Sequence, residues 1–218
     1  MRLYCDYIFP RLMDRVMRGP AFQEQRRVAL RPVEGRVLEI GFGTGLNVPH
    51  YPSTVAWLTA IEPGVLLEGT ISARVTAAPM PIEIVQVPAE ELPWSDRSFD
   101  CVVSTWTLCT IADPVRALAQ IRRVLKEHGR LVFLEHGRSE NASVARWQNL
   151  VNPVQRVLAC GCNLNRRIDR LIADNGFTLD RLDRFVMPGV PRIGADMYRG
   201  VALPSLREGT PAAACHAT

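Results

Sequence analysis

The strand-like run Arg36-Val37-Leu38-Glu39-Ile40 feeds directly into Gly41-Phe42-Gly43-Thr44-Gly45, and this junction constrains the chain more than any other feature. Glycines at alternate positions permit a sharp turn and a close approach of backbone to a ligand, and a helix after the loop would add free N–H groups and a positive dipole end. The next apolar run, Val55 to Ile61, closes on Glu62-Pro63-Gly64, so strand, loop, helix and strand are expected to form a βαβ unit. Glu62 falls roughly 20 residues after the first glycine, where a carboxylate can accept hydrogen bonds from ribose hydroxyls. The implied ligand is nucleotide-like. Leu46 occupies the place of the third glycine of the dinucleotide fingerprint, which argues against a nicotinamide cofactor.

Downstream, Ile82 to Val87 reads as a third strand, Phe99 to Thr105 as a fourth, and Arg130 to Glu135 as a fifth. Pro114 to Lys126 reads as an amphipathic helix ended by Gly129, and Phe177-Thr178-Leu179 and Arg184-Phe185-Val186 are weaker strand segments. This alternation predicts an α/β fold: a Rossmann-like, doubly wound, mostly parallel seven-stranded sheet with helices on both faces. Residues 1–203 are expected to form one domain. Within it, residues 1–30 make an N-terminal helical lid and residues 139–172 a small helical cap. The lid helix, Tyr7 to Gly19, spaces Ile8, Phe9, Leu12, Met13, Val16 and Met17 on one face, which suits covering the core, closing over a ligand or weak contact with a membrane surface. Cys160-Gly161-Cys162-Asn163 interrupts the cap and reads first as a helix-ending turn, with Asn163 tolerating the left-handed conformation. Residues 204–218 are rich in Ala, Gly, Pro, Ser and Thr and are expected to be disordered.

A net charge of +4 with scattered arginines excludes a nucleic-acid tail as a favoured reading. No apolar run approaches the roughly 20 residues of a membrane span, and no signal-peptide pattern opens the chain, so a cytoplasmic location is expected. The six cysteines show no C-x-x-C pair and no histidine at zinc-finger spacing, which predicts reduced thiols, no metal and no disulfide framework. Nothing in the sequence sets an oligomeric state.

The chain resembles the class I S-adenosylmethionine-dependent methyltransferases over nearly all of residues 35–137. The segments that carry the likeness are VLEIGFGTGLN, AIEPG, AEELPWSDRSFDCVVSTWTLCTI and IRRVLKEHGRLVFLEH. The resemblance implies S-adenosyl-L-methionine as cofactor. Glu39 and the loop of Gly41, Phe42, Gly43, Thr44 and Gly45 would face its methionine part, Asn47 would help hold that part, Glu62 beside Pro63 would hold the ribose, and Ala89 and Glu90 would lie by the adenine. The family often places an acidic residue just before that alanine; here it is Pro88, so Glu90 or a backbone group must substitute. A narrower likeness, to the methyltransferase-like seven group and its bacterial relatives, rests on IFPRLMDRVM, LEHGRS and the run Cys160 to Arg166. It implies a small thiol as methyl acceptor and, since the human members' N-terminal membrane-anchoring stretch is lacking, a soluble form.

Methyl transfer from a sulfonium is an in-line displacement with a pre-activated donor, so alignment is the main demand on the protein. Trp106, Leu108 and Cys109 follow the fourth strand and are expected to wall the pocket, with core packing as the plainer alternative, and Thr105, at the strand's end, and Trp106 are expected cofactor contacts. His136 follows the fifth strand and is the first catalytic candidate, as base or orienter of the acceptor; its alternative is a structural histidine anchoring the cap. Cys162 and Asn163 are secondary candidates for the acceptor site. Alternative functions are C- or O-methylation of a quinone, lipid or phenolic acceptor, and cofactor binding without turnover.

Overall fold

A computed structural model describes residues 3–64 and 68–205. Seven strands form one sheet in the order β3-β2-β1-β4-β5-β7-β6. The strands are β1 (Gly35–Ile40), β2 (Val55–Ile61), β3 (Ile82–Val85), β4 (Phe99–Thr105), β5 (Leu125–His136), β6 (Phe177–Val186) and β7 (Asp196–Pro204). The pairs β1·β2, β1·β4, β2·β3 and β4·β5 are parallel, and β7 runs antiparallel to both β5 and β6. This is the doubly wound, mostly parallel sheet that the strand alternation predicts.

Side chains of β1 and β4 alternate between two cores, as the two-residue period of a strand requires. Leu38, Ile40, Phe99 and Val102 pack with Leu118, Ile121 and Phe133 on one face. Val37, Cys101 and Val103 pack with Leu30, Leu58, Ile71 and Val132 on the other. Strands buried on both faces read as continuous apolar runs, which is why the central ones are legible in sequence. The winding direction reverses between β1 and β4, and a doubly wound sheet opens its ligand crevice beyond the carboxyl ends of strands at such a point.

Among the described residues six α-helices flank the sheet: α1 (Phe9–Met17), α2 (Pro20–Ala29), α3 (Glu68–Thr76), α4 (Pro114–Val124), α5 (Ala142–Leu158) and α6 (Ile168–Ala173). In α4 the Asp113 carboxylate accepts from the Arg116 N–H at 3.0 Å, Pro114 occupies the first turn, and Ala117, Leu118, Ile121 and Val124 form the buried stripe. Asn141 caps α5 by accepting from the N–H groups of Ser143 and Val144.

Several expectations are corrected. No α-helix follows the glycine loop: a short 3-10 turn, Val48–His50, joins β1 to β2, because Pro49 and Pro52 interrupt a connection of few residues. Helix-dipole assistance to a ligand at that loop is therefore withdrawn. Helix α4 stops at Val124 because Leu125 already pairs with Phe99, so β5 starts before Arg130. Strand β3 ends at Val85 rather than Val87, and the two weak segments near the C-terminus are parts of one strand, β6. Pro204 pairs with Phe177, and the Ser205 N–H donates to the Gly176 carbonyl, so the sheet continues beyond residue 203. The rest of the expected tail, 206–218, lies outside the described residues.

The expectation of wholly reduced thiols is also overturned. Cys5 and Cys160 form a disulfide across 155 positions of sequence. Cys5 sits in a single π-helical turn, Tyr4–Ile8, ahead of α1, and Cys160 in the turn after α5; the Tyr4 hydroxyl donates to the Leu158 carbonyl at the same junction. Spacing rules read local pairs and cannot register two cysteines brought together by the docking of a lid on a cap. In that turn Cys160 and Gly161 take the positive φ values, of 49° and 101°, in place of Asn163.

Candidate functional site

A cavity of about 470 Å³ opens at the reversal point. Its floor comes from the ends of β1, β2 and β4 through Glu39, Gly41, Phe42, Gly43, Thr44, Ile61, Glu62, Thr105 and Trp106. Helix α1 closes it from above with Pro10, Met13, Asp14 and Met17. Pro63, Ala89 and Glu90 also line it, as does Leu46. With Arg26 of α2, five residues from the N-terminal segment line this cavity.

The glycine loop is held by side chains as well as by its own turns. Gly41, Gly43 and Gly45 all have positive φ. The Gly43 N–H donates to Glu62 Oε2 at 2.7 Å, and the Gly64 N–H donates to Glu62 Oε1 at 3.0 Å, so Glu62 bridges the ends of β1 and β2 at the cavity wall. Thr44 donates through Oγ1 to Asp14 Oδ1 at 2.6 Å, and Arg74 reaches both Asp14 at 2.8 Å and the Thr44 carbonyl. Burial would raise the Asp14 carboxyl, but hydrogen bonds from Arg74 and Thr44 and the charges of Arg74 and Arg18 bring it below its ordinary range. Asp14 thus ties the lid helix to the glycine loop as a charged group.

Beneath the loop lies a buried polar network. Glu39 accepts from Asn47 Nδ2 and from the Tyr51 hydroxyl, each at 2.7 Å. Arg26 Nη1 donates to Asn47 Oδ1 at 2.7 Å and to Thr105 Oγ1 at 3.2 Å, while its guanidinium lies 4.6 Å from the centre of the Trp106 ring. Trp106 itself sits at φ 52°, a left-handed conformation unusual for a bulky residue and typical of positions held by their surroundings. Burial pushes the Glu39 carboxyl up to about 7, against the pull of Tyr51, Asn47 and Arg26.

That shift carries a signed consequence for stability. The folded-state value lies above the unfolded 4.5, so the folded protein prefers protonated Glu39; the contribution is fully present below pH 4.5 and is lost as pH rises towards 7. The loss approaches roughly 3 kcal/mol at most. Glu39→Gln is therefore expected to raise the Tm of ligand-free protein more at pH 8 than at pH 5, by several degrees in difference, measured by thermal unfolding in both buffers. An equal or smaller gain at pH 8 would show that Glu39 does not carry this cost.

The expected site residues separate into two groups. Glu39, Gly41, Phe42, Gly43, Thr44, Glu62, Pro63, Ala89, Glu90, Thr105 and Trp106 line the cavity, while Gly45 shapes the loop and Asn47 is buried one layer below. Cys109, His136, Cys162 and Asn163 are brought together elsewhere, behind the segment that follows β4, and none lines the cavity. His136 Nε2 lies 2.9 Å from Cys162 Sγ, and the Asn163 side chain and N–H both donate to the Cys109 carbonyl. Burial lowers the His136 pKa, and the neighbouring Cys162 and Glu135 outweigh it, leaving the ring above its ordinary range.

Sequence reasoning missed Asp14, Arg26, Tyr51 and Glu135. Glu135 is fully buried and accepts from Ser104 Oγ at 2.7 Å and from the N–H groups of Thr107, Leu108 and Cys109, which fixes the segment carrying Trp106. An acidic residue directly after the apolar run from Leu131 to Leu134 was the visible clue to it. Arg26 looked like one of many helix-surface arginines.

A doubly wound sheet with a glycine loop after β1, an acidic residue after β2 and a lidded cavity at the reversal point defines a Rossmann-like methyltransferase architecture. The family model described as a methyltransferase domain matches residues 38–133. A phosphatidylethanolamine N-methyltransferase of Cereibacter sphaeroides is 31% identical over 144 residues, 64% of this chain and 68% of that protein. A thiol S-methyltransferase of Homo sapiens is 30% identical over 156 residues, 70% of this chain and 64% of that one. A ubiquinone/menaquinone biosynthesis C-methyltransferase of Citrifermentans bemidjiense is 28% identical over 133 residues, 57% of each chain. The match thus spans about two thirds or less of each curated relative. Among solved structures, a putative methyltransferase of Haloferax volcanii, in complex with the Trm112 activator, superposes with a TM-score of 0.70 at 18% identity over 95% of this chain and 99% of that one. The chain belongs to the S-adenosylmethionine-dependent methyltransferases, and S-adenosyl-L-methionine is its cosubstrate.

Proposed function

We propose that the chain transfers the methyl group of S-adenosylmethionine to a small thiol, with the donor held in the cavity between Glu39, the glycine loop, Glu62 and Ala89-Glu90. The observation that carries this is the ionisable content of the cavity wall. Among the described residues it holds Asp14, Arg26, Glu39, Glu62 and Glu90 and no histidine or cysteine. Glu39 is engaged by Asn47 and Tyr51, and Glu90 Oε1 accepts from the Asp113 N–H. An acceptor that ionises unaided near neutral pH suits such a site; a thiol does so to a few per cent, whereas phenols and activated carbons need a base. Likeness to thiol S-methyltransferases points the same way. His136 lies outside the cavity wall and is then not the base.

The second reading, a lipid or quinone acceptor, is favoured by one feature. Helix α1 lines the cavity on one side and on the other exposes Leu12 and Val16, continuing Ile8 of the preceding turn; α5 exposes Trp147, Leu150 and Val154 at helical spacing. The disulfide joins the two helices at one end, and exposed Arg11, Arg15, Arg146 and Arg156 accompany the apolar side chains. No helix among the described residues is long and apolar enough to cross a membrane, so the contact proposed for this face is the surface of an anionic bilayer.

Production of S-adenosylhomocysteine with small thiols, a quinol and phosphatidylethanolamine vesicles tests the acceptor. Thiols are expected to show the highest kcat/KM, rising with pH towards the thiol pKa; a preference for the amine lipid or quinol would replace the first reading with the second. Co-sedimentation with phosphatidylserine-containing vesicles tests the face. Leu12→Glu combined with Trp147→Glu is expected to cut partitioning at least about tenfold, with turnover of a water-soluble thiol unchanged; undiminished partitioning would exclude this face. A cytoplasmic location, also proposed, requires that Cys5 and Cys160 be found as thiols when free thiols are blocked at lysis, because the cytosol keeps most disulfides reduced; finding them joined would place the chain in an oxidising compartment.

A further inference from the structure

Cys109, His136 and Cys162 converge from three separate segments: the turn after β4, the last residue of β5 and the turn after α5. Their candidate ligand atoms all lie within 4.8 Å of one another. Cys162 Sγ is 2.9 Å from His136 Nε2 and 3.8 Å from Cys109 Sγ. Cys109 and His136 are buried, and Cys162 is half-buried. None of the three lines the cavity, and none has a part in the acceptor chemistry proposed above.

We infer that these residues form a binding site for one thiophilic divalent cation of the zinc type, with Cys109 Sγ, Cys162 Sγ and His136 Nε2 as ligands and the fourth position left to water. Two thiolates each ~2.3 Å from a tetrahedral zinc lie ~3.8 Å apart, which is the separation found between Cys109 and Cys162. An imidazole nitrogen and a thiolate on the same ion would be ~3.5 Å apart, so the His136–Cys162 pair, at 2.9 Å, has to open by about 0.6 Å, and the ligand atoms of Cys109 and His136, within 4.8 Å of each other, have to settle at the same separation. Cys109 is held in place independently of any ion: its N–H donates to Glu135 Oε2, and its carbonyl accepts from Asn163. On binding, two S–H protons pass to solvent as two metal–sulfur bonds form, and the two thiolates neutralise the dication. Sulfur and imidazole together select zinc-like ions over magnesium or calcium.

The supporting shell sets the expected strength. His136 Nδ1 is buried and has no hydrogen-bond partner, whereas metal-bound histidines ordinarily donate from the second nitrogen to an acceptor. The affinity is therefore expected to be about 10 to 100 times weaker than that of a comparable site with a carboxylate in that place. The ion would clamp the turn after β4, whose Trp106, Thr107, Thr110, Ile111 and Ala112 line the cavity, to β5 and to the cap. The sequence hid this site because the motifs that announce zinc place ligands a few residues apart, and here they are 27 and 26 positions apart.

Titration of chelator-treated full-length protein with Co²⁺ under anaerobic conditions reads the site directly, since thiolate ligation gives a sulfur-to-cobalt charge-transfer band. Saturation at about one ion per chain, with displacement by Zn²⁺, is expected in the wild type. Cys109→Ser and Cys162→Ser should each roughly halve the band and weaken binding at least tenfold, and Cys101→Ser, at a buried thiol of β4 outside the cluster, should leave it unchanged. Calorimetric binding of S-adenosylmethionine verifies that each variant is folded. No charge-transfer band in the wild type overturns the proposal without recourse to any variant. So does an unchanged band in Cys162→Ser, or recovery of Cys109 and Cys162 joined as a disulfide that Zn²⁺ does not prevent.

Discussion

Gly43→Val is expected to lower the affinity for S-adenosylmethionine at least about 100-fold in calorimetric titration while leaving the protein folded. Gly43 has φ 56°, and a Cβ built on it meets no atom within 4 Å. The added side chain would therefore point into open cavity, where the donor has to approach the backbone. A β-branched residue in the left-handed region also costs about 1 to 2 kcal/mol of backbone strain. Gly189 separates the two effects: it too has positive φ and open space around its Cβ, but it lies in the turn after β6, away from the cavity. Gly189→Val should lose a similar few degrees of Tm and keep its affinity. Tight binding by Gly43→Val would move the donor site away from this loop.

The framework of this molecule was legible because it rests on local rules. Short runs such as Val37 to Ile40, apolar but for Glu39, and Cys101 to Val103 betray strands buried on both faces, and the glycines between β1 and β2 betray a turn that needs positive φ. Connection geometry was less legible. The pattern of a strand, a glycine loop and a second strand suggested a helix between them, but Pro49 and Pro52 restrict that stretch to a 3-10 turn. The polar interior was least legible. Arg26 belongs to a helix whose other arginine, Arg27, pairs with Glu24 at the surface, and only packing shows that one is buried and the other exposed. The second cluster followed the same logic: Cys109, His136, Cys162 and Asn163 were each singled out by their place after a strand or in a turn, yet their grouping away from the cavity depends on how the cap docks.

Arg26→Met is expected to have the largest effect on the protein as a whole, lowering stability by about 3 to 5 kcal/mol as read from chemical denaturation. Its guanidinium is buried, and burial lowers its pKa to about 10, so it stays charged at neutral pH with help from Glu39. Methionine preserves the aliphatic stem against Trp106 and removes the charge and the donors. Asn47 Oδ1 would lose its hydrogen bond from Nη1 and be left an unpaired buried acceptor, which costs about 1 to 3 kcal/mol, while Thr105 Oγ1 would keep the bond it accepts from Asn47 Nδ2 at 2.9 Å. Glu39 would lose its nearest positive charge, so its carboxyl should hold its proton to still higher pH. Because Glu39 and Trp106 both line the cavity, affinity for S-adenosylmethionine should fall at least tenfold as well. The double variant Arg26→Met, Glu39→Gln discriminates the cause. If the loss comes from leaving Glu39 uncompensated, the second substitution should recover more than 1 kcal/mol of stability at pH 8 and little at pH 5. Additive losses at both values would assign the defect to Asn47 instead, leaving Arg26 as the hydrogen-bonding hub beneath the glycine loop rather than the counter-charge of Glu39.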